Sequence, residues 1–183
     1  MKNYSSYSIL IKFLAFVLPF GLIISKYTHF NHNLPEYSLM SLLAKVVVLI
    51  LAFLAIYFYA KNESEASSLK LLFRQGFIIV LLGELSIAMA DYLSLYHLFP
   101  GFIDQFYTTN QNWLASNSNW PKEKQTEALA GIQNLKNIAY KDVLLSLLQS
   151  VIISAIFAFI FALIIKVQQK KSLQLKQWQN RQQ

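Results

Sequence analysis

Residues 75–95 read QGFIIVLLGELSIAMADYLSL, 21 residues in which two carboxylates stand inside an apolar run. As a helix rising ~1.5 Å per residue this stretch is ~31 Å long, enough to cross the ~30 Å hydrocarbon core of a bilayer. Three more apolar stretches share its character, at 4–24, 37–59 and 143–167. Together they predict an all-α polytopic membrane protein, with four transmembrane helices in a single membrane domain over 1–183. What remains is short connections, an outer segment at 98–142 and a tail at 168–183.

Composition narrows the function classes. Of the 183 residues 55% are hydrophobic and 14% charged, too apolar for an ordinary soluble domain. The spans leave no room for a separate catalytic domain. There is no cysteine, which excludes disulfides, thiol catalysis and cysteine metal sites. With five glycines and no nucleophile or dinucleotide motif, the chain offers no phosphate-cradling loop. The expectation is a non-enzymatic protein with no catalytic residue and no cofactor. The net charge of +7 does not point to nucleic acid, because the basic residues lie beside span ends rather than along one face.

Those basic residues set the expected orientation. With the N-terminus inside, nine fall on the inner side: Lys2, Lys61, Lys70, Arg74, Lys166, Lys170, Lys171, Lys176 and Arg181. Five fall outside: Lys26, Lys122, Lys124, Lys136 and Lys141. The excess places both termini in the cytoplasm of a cell inner membrane. The first stretch is read as an uncleaved span, since Lys12 interrupts it and no small-residue cleavage site follows.

The outer segment divides in two. Phe99-Pro100-Gly101 ends the third span, and a polar, Asn-rich connection follows to Asn119. Asn119-Trp120-Pro121 then reads as a helix start with Asn119 as cap. The predicted helix is amphipathic and runs from Trp120 to Asp142, directly into the fourth span. The basic tail continues that span as helix. His29, His32 and Glu36 in the first outer loop and His97 after the third span face one side. The short loop holding Pro35 argues against a zinc site, and no metal ligand is assigned.

Ionisable residues inside the spans need partners, because an unpaired charge in hydrocarbon costs several kcal/mol. Lys45 stands ~12 Å along its helix from Tyr37, Asp91 ~8 Å from Tyr96 and Gln149 ~10 Å from Asp142. The similar depths predict a Lys45–Asp91 ion pair with Gln149 bonded to it. Glu84 lies two turns below Asp91 on the same face, near the midplane, with no partner of matching depth, and Lys12 either reaches it or extends to the inner headgroups. A carboxylate there either exchanges protons, as a coupled carrier requires, or joins helices through hydrogen bonds.

Small residues supply the helix-packing faces. Ser146, Ser150 and Ser154 continue through Ala158 and Ala162 at four-residue spacing, with the hydroxyls expected to bond the preceding turn. Gly76 and Gly83 lie seven apart on the third span, which suits a left-handed crossing.

Phe73-Arg74-Gln75-Gly76-Phe77 opening the third span, Leu98-Phe99-Pro100 closing it, the outer helix and the basic tail together resemble a known set. The chain is similar to the small four-span inner-membrane proteins of Bacteroidetes classed as a domain of unknown function. The resemblance implies a cytoplasmic-membrane bundle serving a larger envelope or lipid-linked glycan system, and it carries no activity and no functional residue. The leading expectation is an accessory or scaffold protein in the lipid bilayer, with a membrane-protein partner or a second copy and no nucleic acid. The alternative is a small ion- or proton-coupled carrier that uses Glu84 and Asp91.

Overall fold

The computed structural model describes residues 2–28, 33–62, 67–116, 119–137 and 140–180. Within them the chain is all-helical: α1 (Lys2–Thr28), α2 (Leu34–Asn62), α3 (Leu69–Leu93), α4 (Phe102–Ser116), α5 (Lys122–Asn134) and α6 (Tyr140–Asn180). Four of these, α1, α2, α3 and α6, are long and apolar enough to cross a membrane. Each is longer than the apolar stretch that marks it. The extension matters most in α1, whose last turn carries Lys26 and Tyr27 into the bundle as buried residues.

Local chemistry starts and stops the helices. At the head of α2, Asn33 Oδ1 accepts from the Glu36 N–H and Glu36 Oε2 accepts from the Asn33 N–H, each at 3.1 Å. This reciprocal cap satisfies two orphan donors, and Pro35 occupies the first turn, where no N–H is needed. Glu36 is thereby used as a cap, while His29 and His32 lie outside the described residues. Ser68 caps α3 by accepting from the Leu71 N–H at 3.3 Å. At its far end α3 widens into a π turn, Ser94–Leu98, closed by the Phe99 N–H donating to the Ser94 carbonyl at 2.8 Å. Pro19 disturbs the backbone ladder of α1. Ser86 of α3 donates to the Phe16 carbonyl at 2.5 Å, tying α3 to α1 one turn before that proline.

The α2–α3 pair forms the middle of the bundle. α1 packs on one face of that pair and α6 on the other, closer to α3. α3 is consequently the most enclosed span. Its glycines mark the closest approach of α2: a Cβ at Gly83 would lie 2.4 Å from Val48 Cγ2, and one at Gly76 would lie 2.6 Å from Ile56 Cδ1. On α6, Ser154, Ala158, Ala162 and Ile165 are buried. A Cβ at Gly76 would also meet Ala158 Cβ at 3.3 Å, so α3 and α6 are close there. Gln169 of α6 holds the end of the bundle where the chain enters and leaves. Its Nε2 donates to the Ala60 carbonyl and its Oε1 accepts from the Ser67 N–H, both at 3.0 Å.

At the opposite end α4 and α5 form a cap. The stretch before Asn119, expected as a polar connection, contains α4, which buries Phe102, Ile103, Phe106, Asn110 and Leu114. Those positions recur at helical spacing, and burying them outweighs the polar Asn and Thr residues between them. Phe102 meets Tyr27 edge-on with centroids 4.7 Å apart, and Phe106 meets Tyr37 at 4.7 Å. Buried Asn110 accepts from the Leu34 N–H at 2.7 Å, adding to the cap of α2. α5 also differs from expectation. It starts after Pro121 with no side-chain cap, rather than on Asn119, and ends at Asn134 in a 3₁₀ turn, Leu135–Asn137. Ile132 is buried and the Tyr96 hydroxyl donates to the Leu135 carbonyl at 3.3 Å, which anchors this end of α5. α5 and α6 are therefore separate helices. Lys136 pairs with Asp104 and ties the two halves of the cap together.

Candidate functional site

At the cap end a half-open cavity of about 370 Å³ lies between α2, α3 and α6. Its floor is Glu84, one wall carries Asp91, and its rim includes Asp142, Tyr96 and Leu135. Exposed Lys45 of α2 and exposed Ser146 of α6 stand at its edges.

Glu84 is 2% exposed and both its carboxyl oxygens are bonded. Ser150 Oγ donates to Oε2 at 2.7 Å and Ser154 Oγ to Oε1 at 2.6 Å. Lys45 Nζ in turn donates to Ser150 Oγ at 2.9 Å. A hydroxyl accepts and donates at once, so Ser150 links an exposed ammonium to a buried carboxylate. Such a chain can pass a proton toward or away from Glu84 without moving the backbone.

Asp91 has a different partner. Lys26 Nζ lies 2.8 Å from its Oδ1, and the Tyr27 hydroxyl donates to the same oxygen at 2.6 Å. The Lys26 ammonium also donates to Ser41 Oγ at 3.2 Å and sits 4.0 Å from the centroid of the Tyr37 ring. Its side chain is 3% exposed, whereas that of Asp91 is 34% exposed, toward the cavity. A buried ammonium with one carboxylate, one hydroxyl and aromatic faces around it has its desolvation offset by several partners.

This arrangement corrects the Lys45–Asp91–Gln149 cluster expected from depth alone. Lys45 reaches Ser150 and, through it, Glu84, while Asp91 is taken by Lys26. Gln149 is exposed on α6, about 100° around the helix from Ser150, and is not part of the site. Ser146 is exposed along the cavity, and so is not a packing residue. The Ser150 and Ser154 hydroxyls donate to Glu84 instead of to the preceding turn. Lys12 sits near Gln75 and Phe58 toward the other end of the bundle, away from Glu84.

Lys26 and Tyr27 lie past the apolar run of α1, which fades at Ile24, and so read as loop residues, and Ser41 of α2 gains its role only as the partner of Lys26. Among the described residues no three His, Asp or Glu side chains converge as a metal site. No curated protein and no solved structure matches the chain. One family model, described as "Protein of unknown function (DUF4199)", matches residues 3–167, a span that includes every residue named here as lining the cavity, and the chain belongs to that family.

Proposed function

We propose that this protein is a non-enzymatic, ion- or proton-coupled membrane carrier in which Glu84 is the exchanging group. One observation carries the reading: a buried carboxylate at the foot of a cavity, bonded by two serines and linked through Ser150 to Lys45. Intramembrane carboxylates in water-accessible cavities mark ion pathways more often than packing sites when several polar groups converge on them. The protein works in the inner membrane with both termini cytoplasmic. Lys26 lies inside the bundle, which leaves nine basic residues toward the inner span ends against four toward the outer ones in favour of that orientation.

An accessory or scaffold role is the second reading, favoured by exposed Trp120 beside Trp113 on the cap. The small-residue face of α6 gives it little support, because Ser154, Ala158 and Ala162 are buried within the chain itself. Proteoliposomes holding a pH indicator separate the two. Inward gradients of sodium, potassium and tetramethylammonium are applied in turn. The expected result is internal alkalinisation with at least one cation, lost in a Glu84→Gln variant that unfolds at the wild-type temperature. If no cation moves protons faster than in empty vesicles, the carrier reading falls and copurification of a stoichiometric partner becomes the decisive assay.

A further inference from the structure

The cavity wall is electrically neutral but not uniform, because two charge couples meet it in opposite orientations. In one, the Lys26 side chain is 3% exposed and that of Asp91 34%, so the couple turns its negative end to the cavity. In the other, Glu84 is buried and Lys45, linked to it through Ser150, is exposed, so the positive end faces out. Two carboxylates and two ammonium groups balance, and Asp142 at the rim has a partner of its own. A net-charged ion gains little from such a wall, whereas a zwitterion meets a complementary charge at each end.

Both ends keep bonding capacity. Lys26 and Tyr27 donate to Asp91 Oδ1, and none of the described residues donates to Oδ2. The Lys45 ammonium has three N–H groups, of which one goes to Ser150. Ser41, which accepts from Lys26 beside Asp91, stands one helical turn from Lys45 on the cap side. The free carboxylate oxygen is therefore ~6 Å nearer the cap than Lys45 along the bundle.

The opening faces the bilayer. None of residues 141–150 of α6 is buried, and Lys45 and Ser146 are exposed at the cavity edges. Farther from the cap α2 and α6 close, with Phe53 edge-on to Phe161 at 5.5 Å. The cavity thus opens sideways between α2 and α6, in the cap-side half of the membrane only. A phospholipid of that leaflet carries its ammonium outermost and its phosphate nearer the chains, the same order as Asp91 and Lys45. An α-amino acid holds both charges on one carbon, whereas phosphoethanolamine spreads them over a two-carbon link, closer to the offset between the two side chains. The volume of about 370 Å³ lies within the ~300–1,000 Å³ range of small-molecule sites.

We propose that this cavity is a lateral site for the headgroup of a phosphatidylethanolamine-type lipid, with its phosphate on Lys45 and its primary ammonium on Asp91 Oδ2. A primary ammonium donates a charge-assisted hydrogen bond to that oxygen and a quaternary one has no N–H to donate, so the site discriminates between the two headgroups. The inference goes beyond the carrier reading, because the lipid is held whether or not Glu84 exchanges protons.

Calorimetric titration of the purified, delipidated full-length protein in a non-ionic detergent tests this without transport. The probes are dihexanoylphosphatidylethanolamine, its phosphatidylcholine and phosphatidylglycerol counterparts, and glycerophosphoethanolamine as the chain-free headgroup. The expected result is saturable binding of the ethanolamine lipid, about tenfold tighter than either other lipid and weakened about tenfold by Lys45→Met. The paired variant Lys26→Met with Asp91→Ala, which strands no charge, should bind the ethanolamine and choline lipids equally. No saturable binding, a choline or glycerol lipid bound as tightly as the ethanolamine lipid, or unchanged binding in a folded Lys45→Met protein overturns the proposal. Glycerophosphoethanolamine bound as tightly as the lipid overturns the assignment to a membrane lipid. Proton exchange in vesicles without ethanolamine-lipid binding would sink this inference alone. Lipid binding without proton exchange would sink the carrier reading and leave the site standing.

Discussion

Removing either end of the Lys26–Asp91 pair cuts the same ion pair, yet the two variants should behave differently. At 2.8 Å the attraction between unit charges is about 6 kcal/mol for an effective dielectric of about 20. Asp91→Ala leaves the Lys26 ammonium, whose side chain is 3% exposed, with only Ser41 and two aromatic faces. An uncompensated buried charge of this kind costs about 3–5 kcal/mol. Lys26→Met instead leaves a carboxylate that is one-third exposed to the cavity and still accepts from Tyr27, so the loss is nearer one charged hydrogen bond, about 1.5–3 kcal/mol. The double variant has no stranded charge and should be more stable than Asp91→Ala alone. Reversible unfolding in mixed detergent micelles, followed by tryptophan fluorescence, gives the three free energies. Equal losses in the two single variants, or a double variant worse than Asp91→Ala, would refute the reasoning, since neither fits a buried ammonium neutralised by Asp91.

Other sites allow equally direct tests. Gly83→Ala forces a methyl group against Val48 and should cost about 1–3 kcal/mol in the same unfolding assay, with partial recovery when Val48→Ala is added. Asn110→Ala removes the acceptor of the Leu34 N–H and should cost about 1–2 kcal/mol, with faster hydrogen exchange at Leu34 than at mid-helix amides of α2.

Hydropathy made the four spans legible because an apolar run of bilayer length has few other uses in a chain this short. Helix ends were harder to read. The apolar run of α1 fades at Ile24, but its hydrogen-bond ladder continues to Thr28, and Lys26 and Tyr27 lie in that last turn. Lys26 therefore counted as a loop charge, and Asp91 was given the wrong partner. Depth alone was informative elsewhere: Lys45 and Ser150 each stand eight residues from the cap-side marker of their helix, Tyr37 and Asp142, and they are bonded. Choosing Gln149 over its neighbour Ser150 was an error of azimuth, which depth cannot resolve without knowing which face of α6 meets α3. In α4 the stripe Phe102, Phe106, Leu114 is present, but Asn and Thr at the intervening positions lower the average hydropathy and make the stretch read as a connection.

The central claim is that Glu84 lies at the foot of a cavity that water enters from the cap end. The wild-type chain contains no cysteine, so single cysteines report without background. Ala88→Cys and Leu147→Cys place thiols in the cavity lining, and Ala52→Cys and Ala158→Cys place them in the buried core. In sealed vesicles of known orientation, a membrane-impermeant thiol reagent should modify the two cavity positions from the cap side only and the two core positions from neither side. A cavity thiol that stays unmodified from the cap side, or that reacts from the side of the chain termini, would contradict the claim.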